Sequence, residues 1–321
     1  MSFEALTRPE IVRALRELGI EKPTEIQEKA MPVIRMGQDV IGMSKTGSGK
    51  TLAFGAPMLE RIVPGKGPQV LIMAPTRELV VQIARELEKF ARHMRASIAQ
   101  VFGGVALGPQ IEAMAKCEII VATPGRMLDH LTRRNVELHS LKTIVLDEAD
   151  KMVDMGFIED VDKIIQAATH KDQVLLFGAT ISEEINRLKA RHMKNPVKVQ
   201  AEAHVKEEYL AQFYYNIETH EKFSLLVHLL TSEKDMDRAI IFCAKRTTVE
   251  MVTKNLKAQG LKAQMIHGKL SQNKRQATID GFMEGKCPVL VASAVAARGL
   301  DIKDVTHILN YDLSQDPQEY I

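Results

Sequence analysis

Short, uninterrupted apolar runs rich in Val and Ile recur along the chain, each parted from the next by a segment with helical spacing. Such runs read as strands buried on both faces of a parallel sheet, because a sheet with one wet face alternates polar and apolar positions instead. The first series lies at 39–43, 70–74, 98–102, 118–122, 143–146, 174–177 and 197–199. After a polar stretch the rhythm resumes at 212–217, 239–243, 263–266, 289–292 and 307–310. Strands alternating with helices predict doubly wound α/β layers, and two series predict two of them. The charged stretch 201–208, AEAHVKEE, carries no apolar run and reads as the boundary. The expected organisation is a first domain at 1–203, a linker at 204–209 and a second domain at 210–321.

Two helix starts are written explicitly. Thr7-Arg8-Pro9-Glu10 fits a capping box with proline in the first turn, followed by Ile11, Ala14, Leu15 and Leu18 on one face. Thr24-Glu25-Ile26-Gln27 fits a second capping box behind Pro23. Gln27 thus has a structural role available before any functional one.

Composition narrows the partners. Lys plus Arg number 43 and Asp plus Glu 41, a net charge of +2. That balance excludes a disordered polyelectrolyte or a coat of basic residues, so an anionic partner has to be met locally, in clefts. Trp is absent and 5 % of residues are aromatic, which disfavours stacking of successive bases and leaves the backbone as the handle on any nucleic acid. Cys117, Cys243 and Cys287 are isolated, without CxxC spacing, and read as packed or surface thiols. The ten histidines show no metal-ligand spacing, and the 16 methionines read as core filler. The amino terminus lacks a secretory signal and no apolar run approaches the ~20 residues that span a bilayer, so the expected location is cytoplasmic.

Ligands of open parallel sheets bind at the carboxyl ends of the strands, and there the unusual clusters fall. The run at 39–43 leads into SKTGSGKT, 44–51. Its glycines free backbone amides to wrap a polyphosphate at a helix amino terminus, Lys50 reaches the terminal phosphates and the Thr51 hydroxyl suits Mg²⁺. Ser44 stands where the strict pattern has glycine. The run at 143–146 leads into Asp147-Glu148-Ala149-Asp150, with Asp147 placed to hold Mg²⁺ through water and Glu148 to orient and deprotonate a water. Alone this would read as a solvated acidic turn; together with a phosphate loop it specifies a nucleoside triphosphatase. PTRE (75–78), Gly103-Gly104, TPGR (123–126) and GAT (178–180) follow other strands, where small residues let backbone amides approach phosphates and Arg77 and Arg126 supply charge.

These motifs in this order resemble the DEAD-box ATP-dependent RNA helicases of superfamily 2, over about residues 3–321. The second half adds IIFCAKR (240–246), HGKLSQNKR (267–275) and ASAVAARGLDI (292–302). The resemblance implies two tandem RecA-like domains with mostly parallel sheets flanked by helices, the second incomplete at its carboxyl end. It implies ATP and Mg²⁺, with Gln27 on the adenine edge, Thr46, Gly47, Ser48, Gly49, Lys50 and Thr51 on the phosphates, Asp147 on the metal, Glu148 on the water and Asp301 on the ribose. RNA backbone would lie on Pro75, Thr76, Arg77, Gly103, Gly104, Thr123, Pro124, Gly125 and Arg126, and in the second domain on Gln272, Arg275 and Ser293. Asp150, Gly178, Thr180 and Arg298 would couple hydrolysis to unwinding, which proceeds by closure of two domains around ATP and a bent RNA strand. A monomer working on single strands and duplexes without sequence preference is expected.

Departures qualify this. Ile20 replaces an aromatic that packs on adenine, Gly178 replaces a serine beside the acidic motif, Ser293 replaces threonine and Ala294 a frequent aspartate. The family continues past Gln318-Glu319-Tyr320-Ile321 into an arginine-finger motif, and such arginines contribute roughly 10³ to 10⁵ in phosphoryl transfer. The expectation is therefore slow hydrolysis and a less stable second domain with an unfinished sheet edge. The competing reading is an ATP-gated RNA clamp with little turnover; a transporter-type ATPase and a double-stranded DNA translocase are more remote.

Overall fold

The computed structural model describes residues 1–44, 47–201, 211–233, 235–293 and 305–313, without the side chains of Gln272, Asn273 and Gln276. The chain divides into two compact units, Met1–Val205 and Lys206–Ile321. The predicted linker, 204–209, lies outside the described residues.

In the first unit, α1 (Phe3–Leu6), α2 (Pro9–Glu17) and α3 (Glu25–Arg35) precede β1 (Val40–Met43). Then come α4 (Lys50–Arg61), β2 (Val70–Met73), α5 (Arg77–Phe90), β3 (Ile98–Val101), α6 (Leu107–Met114), β4 (Ile119–Ala122) and α7 (Pro124–Thr132). The unit closes with β5 (Thr143–Leu146), α8 (Ala149–Asp154), α9 (Ile158–Ala167), β6 (Gln173–Gly178), α10 (Glu183–His192) and β7 (Val197–Gln200). The strands pair in the order β3-β4-β2-β5-β6-β1-β7, all parallel. Alternation along each strand sends side chains to opposite faces. Val70 and Ile72 join a core with Phe3, Leu15, Ile34, Phe54 and Leu87, whereas Leu71 and Met73 join one with Met127, Ile164 and Ile185. Both faces being covered, β2, β4 and β5 are buried at every position, which is why they read as unbroken apolar runs.

The second unit holds α11 (Lys222–Ser232), β8 (Ala239–Cys243), α12 (Arg246–Ala258), β9 (Ala263–Ile266), α13 (Gln272–Met283), β10 (Val289–Ser293) and β11 (His307–Asn310). Its parallel sheet runs β11-β8-β10-β9. Ile241 and Val291 pack towards α12, and Ile240 and Leu290 towards Phe282 of α13. All three cysteines are buried, and burial pushes the Cys117 and Cys243 thiols up to about 12. Among the described residues no helix is long and apolar enough to cross a membrane.

Three local expectations are corrected. The stretch 212–217 is not a strand: it joins neither sheet, and Phe213, Tyr214 and Tyr215 stand exposed. Strand-like composition forms a strand only where a neighbour takes up its backbone groups. The first capping box is not made; Thr7 ends α1, and its hydroxyl donates to Glu60 Oε1 at 2.7 Å while Arg8 N donates to the same oxygen at 3.1 Å. A buried carboxylate needs donors, and Glu60 takes this one. Leu18 is exposed because α2 ends before it, turned by Gly19 at φ +71° with Ile20 N returning to Leu15 O.

Candidate functional site

The strand order arranges the predicted clusters along one edge of the first unit's sheet. Read from β3 to β1, the carboxyl ends carry Gly103-Gly104, Thr123 to Arg126, Pro75 to Arg77, Asp147 to Asp150, Gly178 to Thr180 and Ser44 to Thr51. Backbone bonds continue the ladder into the loops: Thr123 N to Val101 O, Ala74 N to Ala122 O, Asp147 N to Met73 O and Ser44 N to Gly178 O, at 2.9, 2.9, 2.9 and 3.1 Å.

At the phosphate loop, Gly49 occupies the cap of α4 at φ +87°, where a Cβ would come within 2.3 Å of Gln27 Nε2. The contact is close because the second capping box holds. Thr24 caps α3 and its amide donates to Gln27 Oε1 at 2.9 Å. Gln27 Nε2 in turn donates to Gly49 O at 3.0 Å, and the Thr24 hydroxyl donates to Ser48 O at 2.8 Å. The capping box therefore also holds the phosphate loop. Ser44 supports the loop from the other side: its hydroxyl accepts from Ser48 Oγ at 2.9 Å and its carbonyl accepts from Lys50 Nζ at 3.3 Å. Gly47 turns the loop at φ +77°, Thr51 lies half-buried in the first turn of α4, and Thr46 lies outside the described residues.

Lys50, Asp147 and Glu148 are all buried. Burial pushes the Asp147 carboxyl up to about 6, with Lys50 pulling it down and Glu148 adding to the rise. A buried carboxylate within the field of Lys50, together with a hydroxyl from Thr51 next in the loop, is a donor set of oxygens that fits a hard divalent cation. Glu148 caps α8 at φ 53° and ψ 50°, a left-handed conformation that costs a non-glycine residue about 1–2 kcal/mol. Its Oε1 lies 3.0 Å from Lys151 Nζ. Asp150 turns to β6, its Oδ2 accepting from Ala179 N at 2.8 Å and Thr180 N at 3.1 Å. A Cβ on Gly178 would lie 3.3 Å from Asp150 Oδ1.

Two guanidinium groups converge on the glycine pair at the other end of the edge. A Cβ on Gly104, at φ +82°, would fall 2.2 Å from Arg77 Nη1, and Arg126 Nη1 donates to Val105 O at 3.0 Å. Arg77 opens α5 behind Thr76, whose hydroxyl accepts from Leu79 N at 3.3 Å. Pro124 opens α7 behind the buried Thr123, with Gly125 exposed. Two helix amino termini and two arginines thus meet at Pro75, Thr123 and the glycines, a surface suited to phosphates.

In the second unit Ser293 ends β10 and Arg275, half-buried, lies in the first turn of α13. The side chain of Gln272 and residues Ala294, Arg298 and Asp301 lie outside the described residues. His267 is buried, its Nδ1 accepting from Lys269 N at 3.3 Å and its Nε2 3.6 Å from Glu250, a structural arrangement. Sequence reasoning missed Lys151 and the supporting roles of Thr24 and Ser44. Spacing of three between Glu148 and Lys151 was the signal for the first; the others depend on folds of the loop that leave no local trace.

Residues 24–188 match the DEAD/DEAH box helicase family and residues 221–321 the helicase conserved C-terminal domain. The chain is 42 % identical over 315 residues to the DEAD-box ATP-dependent RNA helicase CshA of Bacillus licheniformis and 41 % identical to that of Bacillus subtilis. Each alignment covers 97 % of this chain and 64 % of the relative, so the chain spans under two thirds of the curated relatives' length. Among solved structures, a DEAD box protein from Methanococcus jannaschii is 37 % identical, with a TM-score of 0.62 over 100 % of this chain and 87 % of that one. Dbp5 of S. cerevisiae bound to RNA and ADP BeF3 is 29 % identical, with a TM-score of 0.87 over 99 % of this chain and 82 % of that one.

Proposed function

Because the chain belongs to the DEAD/DEAH box helicase family, we propose that it is an ATP-dependent RNA helicase that couples ATP turnover to local separation of an RNA duplex. The observation that carries this reading is the order of the sheet edge, which sets a phosphate loop, an acidic pair and a paired-arginine platform side by side. Lys50 and the amides of 47–51 hold the terminal phosphates, and Gln27 meets the adenine edge. Asp147 and Thr51 would hold Mg²⁺, which neutralises phosphate charge when bound. Glu148 orients the attacking water and accepts its proton, a role contributing roughly 10² to 10⁴ in rate. Asp150 carries the state of that site to Ala179 and Thr180 through the hydrogen bonds that their amides donate to it.

On the other half of the edge, Arg77, Arg126 and the helix amino termini take successive RNA phosphates, which leaves bases unread. The solved yeast relative with RNA and ADP BeF3 supports the pairing of these two ligands. In the second unit Gln272, Arg275 and Ser293 extend the backbone contacts, and Asp301 and Arg298 serve the ribose and the coupling.

RNA-stimulated phosphate release by this chain, compared with its Glu148→Gln variant, tests the reading. Turnover should fall by about 10² to 10⁴ while ATP-dependent RNA binding is kept; unchanged turnover would remove Glu148 from its role. A second reading, an ATP-gated RNA clamp with little turnover, is favoured by Gly178, which brings no hydroxyl to the Asp150 carboxylate. Unwinding and phosphate release measured separately discriminate the two, since the clamp binds RNA with ATP and does neither.

A further inference from the structure

We propose that Lys151 is a positioning residue for Glu148, tethering the carboxylate that activates the attacking water. This inference rests on the role given to Glu148 above. A glutamate side chain turns about three bonds, and at Glu148 the backbone sits at φ 53° just before α8, so the helix does not dictate where the carboxylate goes. Side chains on a helix lean towards its amino terminus, so a lysine three residues on brings its ammonium back over residue 148. The distance from Nζ to Oε1 is 3.0 Å, with the Glu148 side chain 4 % exposed and that of Lys151 26 % exposed.

The neighbouring carboxylates take other donors. Asp150, the other carboxylate on the same turn, accepts from the amides of Ala179, Thr180 and Lys151. Asp147 has Lys50 as the cation acting on it and accepts the Glu148 amide. Lys151 thus lies on Glu148 Oε1, whereas Lys50 is turned to the phosphate loop at Ser44 O. The contrast with Arg187–Glu183 is instructive, since there both side chains are more than 70 % exposed and solvent screens the pair. The Glu148 carboxylate is buried, and there a charged hydrogen bond restricts it far more.

The experiment is single-turnover and steady-state ATP hydrolysis by the full chain with saturating RNA. Lys151→Met should lower kcat about tenfold and leave the KM for ATP and the ATP-dependent RNA affinity within about twofold, because geometry at the reacting water is lost and ground-state binding is not. Lys151→Arg keeps a charged donor and should recover most of the loss. In the Glu148→Gln background Lys151→Met should cost nothing further. A purely structural role would instead move thermal stability and KM together with kcat, and it would persist without the Glu148 carboxylate. Unchanged kcat in Lys151→Met, no recovery by arginine, or an equal loss in the Glu148→Gln background each overturns the inference. Lys151→Gln, polar and of similar length, is measured alongside so that a folding defect of the methionine variant does not decide the matter. If the unmodified chain fails to hydrolyse ATP with RNA, the functional reading falls and this inference with it; if it hydrolyses ATP but ignores Lys151, only the inference falls.

Discussion

The two halves of one sheet edge use charge in opposite ways. Where β5, β6 and β1 end, Lys50, Asp147 and Glu148 are at most 7 % exposed and are fixed by bonds to Ser44, the Glu148 amide and Lys151. Where β3, β4 and β2 end, Arg77 and Arg126 are half-exposed and lie against glycine. The same parallel ladder and the same kind of helix amino terminus underlie both. What differs is water. Charges kept dry and preoriented act strongly on a reacting group, whereas half-exposed ones hold a polyanion through contacts that salt competes away. On the proposed function, the edge separates a half for changing bonds from a half for gripping and releasing a polyanion.

The largest expected effect comes from removing a charge on the dry side. Asp147→Asn should lower RNA-stimulated turnover by about 10² or more, since it removes the carboxylate that would hold Mg²⁺ at the phosphates. It should also change ligand-free stability in the opposite direction. Burial pushes the Asp147 carboxyl up to about 6 in the folded protein, against 3.8 ordinarily. The native state therefore holds a proton that the unfolded chain has lost between these values, and stability falls as pH rises through that window, then levels off above 6. Asp147→Asn should flatten this slope and stabilise the protein near neutrality by about 1–3 kcal/mol. Urea unfolding across pH 4 to 8 reads both outcomes, and an unaltered slope would show that the dry half carries no such strain.

A smaller effect is expected from Gly104→Ala on the gripping side. The added methyl meets Arg77 and the backbone is held at φ +82°, so RNA affinity should drop about tenfold with the KM for ATP unmoved. Parallel loss of both, measured by titration, would mean that the halves are not separable. The smallest effect belongs to Arg126→Ala. Single-stranded RNA affinity should weaken a few-fold and the dependence of log affinity on log salt should become shallower by about 0.7, one phosphate contact. Hydrolysis at saturating RNA should keep its rate, and a slope that does not change would take Arg126 off the RNA path.

Much of this was legible beforehand because the signals are local. Buried strands show as unbroken apolar runs, and each cluster of Gly, Pro and charge at a strand end reflects the backbone freedom needed there. The reading failed where a distant group outbid a local one. Thr7 carries a capping-box spacing, yet Glu60, brought up by packing, holds its hydroxyl. The stretch 212–217 has the composition of a strand and joins neither sheet. Lys151 carries no motif of its own, and it is the turn of α8 that sets it on Glu148.

The sequence by itself determined what each segment is and which residues follow each strand, because helical spacing, apolar runs and turn chemistry are properties of neighbours along the chain. Only the tertiary structure decided which strand ends lie together. Apolar runs of similar length are interchangeable as sheet partners, so nothing local ranks β5 beside β2 or β6 beside β1; side-chain packing on both faces and the connections between strands do. That order sets Asp147 within the field of Lys50, brings Ala179 and Thr180 to Asp150, and gathers Arg77 and Arg126 on one pair of glycines.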